Sequence, residues 1–344
     1  MEITLFVILV YILLLVVAFS IGSNDEAMAP VVGAGVMSLS LAVFLGGVLS
    51  AFGAVILGQG VSETVGSDLI HGKILPEAAV IAVLLAMAIW LIAASAGKGL
   101  PISTTQATVG AVIGVAFWMA FKDSNDMSDG VDAIDWGVVA EIVIGWVISP
   151  IIGFIGAALT FILIERLRQK AAVKGLSDIE RQERIAAYFL AAFLLWTSFS
   201  RGGNDVANGV APLIMFWPDE AEMILLALIL GGIGMAVGLI IIGRKVVETL
   251  ATEVVSLSPT SALSASISVA IIMFVGTAMG LPLSGSHVLV AALIAVGWAG
   301  KTAIEKEAVK GILISWVITV PISAILGIGL FVVFDPIVAE LLKI

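Results

Sequence analysis

Gly202-Gly203-Asn204-Asp205 places two glycines, an amide and a carboxylate inside a run that otherwise reads as lipid-soluble. The tetrad has a twin: Gly22-Ser23-Asn24-Asp25 stands in the first half, preceded by Phe19-Ser20 as the second copy is preceded by Phe199-Ser200. A carboxylate in hydrocarbon is costly unless it is paired, hydrated or bound to a cation. A chain that carries the same costly residues in both halves is expected to build one site from two related elements.

Outward from the tetrads, the chain is apolar. Of 344 residues, 60% are hydrophobic and 12% charged. Apolar runs fall near 3–21, 31–57, 77–97, 100–121, 136–164, 185–217, 221–243, 259–279, 282–300 and 308–334. They lack the period-two alternation of barrel strands, and each is about the length a helix needs to cross hydrocarbon. The expected fold is an all-α, polytopic integral membrane protein of about 10–12 transmembrane helices, the upper figure allowing for broken helices or re-entrant hairpins. The first run follows Glu2, not a basic region, and is read as a retained helix instead of a cleaved leader. A net charge of −10 argues against a nucleic-acid partner, and the absence of cysteine removes disulfides, thiolate metal sites and cysteine nucleophiles. There is no Walker lysine pattern, zinc spacing or serine-histidine-acid arrangement. The expectation is therefore a protein that is not an enzyme and has no cofactor.

More than the tetrad repeats. Leu100-Pro101-Ile102-Ser103-Thr104-Thr105-Gln106 matches Leu281-Pro282-Leu283-Ser284-Gly285-Ser286-His287, Glu63-Thr64 matches Glu248-Thr249, and Trp146-Val147-Ile148 matches Trp316-Val317-Ile318, in the same order. The basic stretch with Arg166, Arg168, Lys170, Lys174, Arg181 and Arg184 is placed in the cytoplasm by the positive-inside rule. Counting passes then puts the acidic 122–135 loop and both termini outside. With an odd number of passes per unit the copies insert in opposite orientations, which gives two inverted-topology repeats, 1–165 and 185–344, joined by a cytoplasmic connecting segment, 166–184.

A glycine that breaks a helix frees carbonyls for a cation and N–H groups for an anion. Asp25 and Asp205 would hold the cation, and Asn24 and Asn204 can serve either ion, although the same residues also suit helix caps. Ser103, Thr104 and Thr105, with Ser284, Gly285 and Ser286, each follow a proline and are expected at helix N-termini, where hydroxyls and N–H groups cradle an oxyanion or simply tie a break together. Glu63 and Glu248, each followed by a threonine, are candidate cation ligands or partners for a broken helix. Gln106, His287, Arg201 and Glu26 break the repeat; for Arg201, pairing with a carboxylate is favoured over contact with substrate. The run Gly231-Gly232-Ile233-Gly234 is read as a close-packing surface.

These motifs resemble the inorganic phosphate transporter family PiT, whose signature is a repeated Gly-Ala-Asn-Asp-Val-Ala-Asn-like stretch. Gly203-Asn204-Asp205-Val206-Ala207-Asn208 matches closely; in Ser23-Asn24-Asp25-Glu26-Ala27-Met28, Glu26 and Met28 depart from it. The resemblance implies symport of inorganic phosphate with a cation, sodium in some members and protons in others, with the tetrads and Ser/Thr motifs forming the site. Sodium is favoured as the coupling ion. The short central polar segment points to a prokaryotic inner-membrane protein, and small-residue surfaces permit a homodimer. The competing readings are a proton-coupled carrier of phosphate or another oxyanion such as sulfate, and an anion channel.

Overall fold

The computed structural model describes residues 2–67, 69–71, 75–170, 176–214, 216 and 220–342. In chain order the helices are α1 (Glu2–Ser23), α2 (Ala29–Gly33), α3 (Leu39–Ser67), α4 (Glu77–Lys98), α5 (Thr104–Ser124), α6 (Met127–Asp132), α7 (Trp136–Lys170), α8 (Leu176–Ile214), α9 (Ala221–Gly238), α10 (Arg244–Glu253), α11 (Pro259–Ala278), α12 (Gly285–Gly300) and α13 (Lys306–Leu342). A π-helical stretch, Leu239–Gly243, joins α9 to α10 without a break. Among the described residues no strand occurs, nine helical segments are long and apolar enough to cross a bilayer, and α12 is a shorter apolar helix of 16 residues. Each of the ten expected apolar segments contains a helix, the 31–57 run being divided between α2 and α3 and the 221–243 run continuing from α9 into the π-helical stretch; residues 215 and 217 lie outside the described residues.

The repeat is geometric. Gly99 follows α4 in the left-handed region (φ 64°), and Ser103 then caps α5 by accepting the Gln106 N–H. In the second half Gly280 is left-handed (φ 72°) after α11, and Ser284 caps α12 by accepting the His287 N–H. Helix α5 stops on left-handed Asn125 (φ 57°) and α12 on left-handed Lys301 (φ 55°). Even the isolated bridges correspond, Ile70 with Ile134 and Val255 with Ile304. Each unit thus holds one long helix, a second long helix, a helical hairpin and a final long helix. A hairpin adds an even number of passes whether it crosses or folds back, so the count per unit is odd and the units are inverted.

The two units interlock. Helix α1 packs on α9 and its counterpart α8 packs on α3; the last helix of the first unit, α7, packs on the α11–α12 hairpin, while α13 packs on α4–α5. Lipid supplies no hydrophobic drive for such pairings, so small residues must let the backbones approach. A Cβ on Gly22 would lie 1.9 Å from Met235 O, and one on Gly238 would lie 1.9 Å from Phe19 O. The equivalent crossing places Gly202 2.0 Å from Ser50 O and Gly53 1.7 Å from Phe199 O by the same construction. Gly232 and Gly234 pack in the same way against Ala51 O and Ala18 Cβ, as the close-packing reading of that run required.

One expectation changes here. The 202–205 tetrad does not interrupt its helix: α8 runs unbroken through it, and its glycines serve the crossing with α3. Only the first copy breaks, because Asp25 Oδ1 turns back to accept the Ala27 N–H (3.0 Å), the local competition that takes Asp residues out of helices. Asp205 is drawn instead to Arg201 one turn earlier, which leaves the ladder of α8 intact. The connecting stretch 166–184 is also largely helical, since α7 extends to Lys170 and α8 starts at Leu176; Lys174 lies outside the described residues. Arg168 ties these ends together, pairing with Glu183 at 2.8 Å, while Glu183 accepts the Thr260 N–H at the start of α11 (2.9 Å).

Candidate functional site

The two hairpin tips meet each other and both tetrads. Asn24 Nδ2 donates to Ile102 O (2.6 Å), and Asn24 Oδ1 accepts from Ile102 N–H (3.3 Å) and Ser95 Oγ (3.2 Å). In the second copy, Asn204 Nδ2 donates to Leu281 O (2.9 Å). Tip touches tip through Thr105 Oγ1 to Leu283 O and Ser286 Oγ to Ile102 O, both 3.3 Å. The αL glycines that turn the tips are covered by the repeated threonines: a Cβ on Gly99 would lie 2.7 Å from Thr249 Oγ1, and one on Gly280 3.4 Å from Thr64 Oγ1.

Two helix N-termini therefore converge. The opening turns of α5 and α12 carry N–H groups with no partner inside their helices. Ser103 and Ser284 accept a backbone N–H with their oxygens, so each keeps a hydroxyl proton to donate. This set suits an oxyanion. Thr104 accepts from Asn208 Nδ2 (3.3 Å), which brings α8 to the same place.

Beside the tips lies a cluster of buried charge. Arg201 NH1 is 2.8 Å from Glu26 Oε1 and 3.3 Å from Asp25 Oδ1, and NH2 is 3.2 Å from Asp205 Oδ2. Relative exposure is 0% for Glu26 and no more than 3% for the other three. Three carboxyl groups share one guanidinium in a site closed to water, so any negative charge they hold beyond that one cation needs a further cation or a proton. Glu26 Oε2, Asn204 Oδ1, Asn208 Oδ1 and Arg201 Nε are buried without a protein partner, so the cluster offers oxygens to a cation and a donor to an anion. The expectation that Arg201 pairs with a carboxylate holds three times over.

Not every expected residue joins the cluster. Among the described residues no three His, Asp or Glu side chains converge as a metal cage. Asp25 and Asp205 converge on Arg201, and Asn24 is committed to the tip. Glu63 and Glu248 are exposed on α3 and α10, where Gln59 Nε2 donates to Glu63 (2.9 Å). His287 is buried against Trp146 O (3.4 Å) and the Trp316 ring (centroids 3.9 Å apart), with Nε2 unpartnered; its counterpart Gln106 has Oε1 unpartnered. Ser95 and Asn208 were absent from the expected site. Asn208 was legible as the end of the better-matched signature, whereas Ser95 sits alone in an apolar run and has no sequence signal.

Inverted helical repeats whose broken or abutting helices bring N–H groups and carboxylates to one enclosed centre define a class, the membrane carriers of small ions. Within that class the assignment is specific. The phosphate transporter family model matches residues 21–327, and the chain belongs to that family. A protein of Chlamydia trachomatis is 30% identical, with 91% of this chain and 95% of that one aligned. Inorganic phosphate transporter 2-1, chloroplastic, of Arabidopsis thaliana is 26% identical over 90% of this chain and 69% of its own. A solved structure, "The sodium-dependent phosphate transporter", superimposes with a TM-score of 0.85 at 26% identity, covering 96% of this chain and 99% of that one.

Proposed function

We propose that this protein imports inorganic phosphate by symport with a cation, sodium before protons, through alternating access. The observation that carries the reading is the buried cluster of Asp25, Glu26, Asp205 and Arg201 against two helix N-termini. Phosphate entering beside an excess of carboxylates is repelled. Cations on Asp25 and Asp205, completed by Asn204 Oδ1 and nearby carbonyls, remove that repulsion. At about 4 Å and an effective dielectric of about 20, one cation–anion contact contributes about 4 kcal/mol, enough to make phosphate affinity follow ion occupancy. Phosphate is then held by Ser103, Thr104, Thr105, Ser284, Gly285 and Ser286. The name of the solved neighbour supports sodium, and so does a site built of hard oxygen donors.

In this reading the inverted units, 1–165 and 185–344, rock against each other in a prokaryotic inner membrane. The termini lie outside and 166–184 lies in the cytoplasm. The exposed Glu63 and Glu248, each beside a threonine that covers a hairpin glycine, act where ions approach the tips. The test is phosphate uptake into proteoliposomes. An inward sodium gradient at equal pH is expected to drive accumulation above equilibrium; accumulation driven solely by a pH gradient assigns the proton, and uptake that never runs uphill replaces the carrier with a channel.

A further inference from the structure

Arg201 and Glu26 are the positions at which the two tetrads stop matching: Ile21 stands where Arg201 does, and Val206 where Glu26 does. The structure makes these two departures each other's partner, at 2.8 Å. They add one positive and one negative charge to a centre already holding two repeated aspartates, so they change its geometry without changing its net charge.

The geometry is directional. NH1 is taken by Glu26 and Asp25, both from the broken segment after α1. Among the described residues NH2 pairs only with Asp205, and Nε has no protein partner although Arg201 is 3% exposed. The guanidinium lies flat against the first residue of α12: a Cβ on Gly285 would fall over its face, 2.5 Å from Nε, 2.8 Å from Cζ and 3.1 Å from NH2. The packing covers the face and leaves the in-plane Nε–NH2 edge, the fork which binds a tetrahedral oxyanion with two parallel hydrogen bonds. That edge therefore lies beside the N-terminal turn of a 16-residue helix, whose capping Ser284 accepts the His287 N–H and keeps a hydroxyl proton to donate.

Resting on the carrier reading above, we propose that Arg201 is a phosphate ligand specific to the second repeat and the element that couples the ions. Sodium taken up by Asp205 releases NH2, so the Nε–NH2 edge turns from one bound donor to two available ones. Glu26 keeps NH1 and holds the guanidinium in place while this happens. At Gly285 any side chain would press on the face of the guanidinium and displace it. Cation binding and anion binding thus compete for, and share, one planar group. The anion site is accordingly asymmetric: the α12 side has a charged fork and the α5 side only hydroxyls and N–H groups.

The test is equilibrium binding of labelled inorganic phosphate to the purified full-length protein at saturating sodium, with sodium binding measured separately without phosphate. Two variants are needed. E26V/R201I installs at both positions the residues the repeat itself carries and keeps the net charge of the centre. R201K keeps the cation and removes the fork. Both are expected to weaken phosphate binding about tenfold or more, the scale of lost charge-assisted hydrogen bonds. Sodium binding is expected to persist in both and to tighten in E26V/R201I, where the competing guanidinium is gone. Should E26V/R201I fail to fold, as absent sodium binding would reveal, R201K carries the test. Phosphate affinity within twofold of wild type in a folded variant overturns the assignment. Wild-type protein that binds phosphate equally with and without sodium overturns the carrier reading instead, while the R201K comparison still decides whether Arg201 touches phosphate.

Discussion

Asp205 shows how much a single side chain can be asked to do. It ends the pairing of Arg201, it lies one helical turn away in an unbroken helix, and among the described residues it is the one carboxylate paired with NH2. Asp205→Asn removes the charge that sodium neutralises and loosens the hold on the guanidinium. Its phosphate uptake is therefore expected to depend less steeply on sodium than that of wild type, measured as initial rate against sodium concentration. An unchanged sodium curve in both this variant and Asp25→Asn would remove the aspartates from the coupling site. The glycines beside them are read differently from the acids. Gly202→Ala sets a methyl 2.0 Å from the Ser50 carbonyl, a backbone atom that cannot swing away. A loss of about 1–3 kcal/mol is expected, seen as a lower unfolding temperature in detergent. At Gly209 the nearest atom would be the Ile21 side chain at 3.4 Å, so Gly209→Ala serves as the tolerated control. The polar identity of both tetrads was legible in the sequence because lipid makes such residues conspicuous. The role of the glycines was not: the same residue type permits a break and a close crossing, and only the partner helix distinguishes them.

At the scale of the element, the hairpins decide the site. Each is made by one glycine with positive φ, one proline and one capping serine, spaced alike in both halves. Placing a side chain on the left-handed Gly280 costs about 1–2 kcal/mol of backbone strain and crowds Gly60 O at 3.2 Å. Gly280→Ala is expected to lower thermal stability and to raise the KM for phosphate, since Leu281 and Leu283 lend their carbonyls to Asn204 and Thr105 at the same tip. A variant that loses stability with KM unaltered would make the tip a mere structural corner. The hairpins were readable because proline and serine mark a helix start whatever surrounds it. The continuity of α8 was hidden, because it depends on Arg201 reaching Asp205 before the backbone does. Likewise the sequence could pair Glu63 with Glu248 but could not tell that the threonines beside them, not the acids, cover the tips.

For the whole molecule, inversion makes a prediction without reference to phosphate. Asn125 and Lys301 are equivalent residues, both left-handed, each ending the second helix of a hairpin. Inverted units put them on opposite faces of the membrane. The chain has no cysteine of its own, so single cysteines at these two positions can be labelled without background. An impermeant maleimide added to intact cells is expected to reach Asn125→Cys and not Lys301→Cys. Labelling of both from the same side would contradict the inversion. The odd number of passes per unit could be counted from apolar runs alone, while the exchange of final helices between the units could not, because nothing in the composition of α7 or α13 says which hairpin it will lie against.

That exchange has a consequence in time. The first hairpin, α4–α5, is covered by α13, which is made after every other described helix, whereas the second, α11–α12, finds α7 already waiting. The earlier half of the protein is therefore the later one to be finished: about 180 residues are made between the end of α5 and the start of α13, and throughout that interval the first tip stands without its outer wall. The first hairpin closes only when α13 arrives.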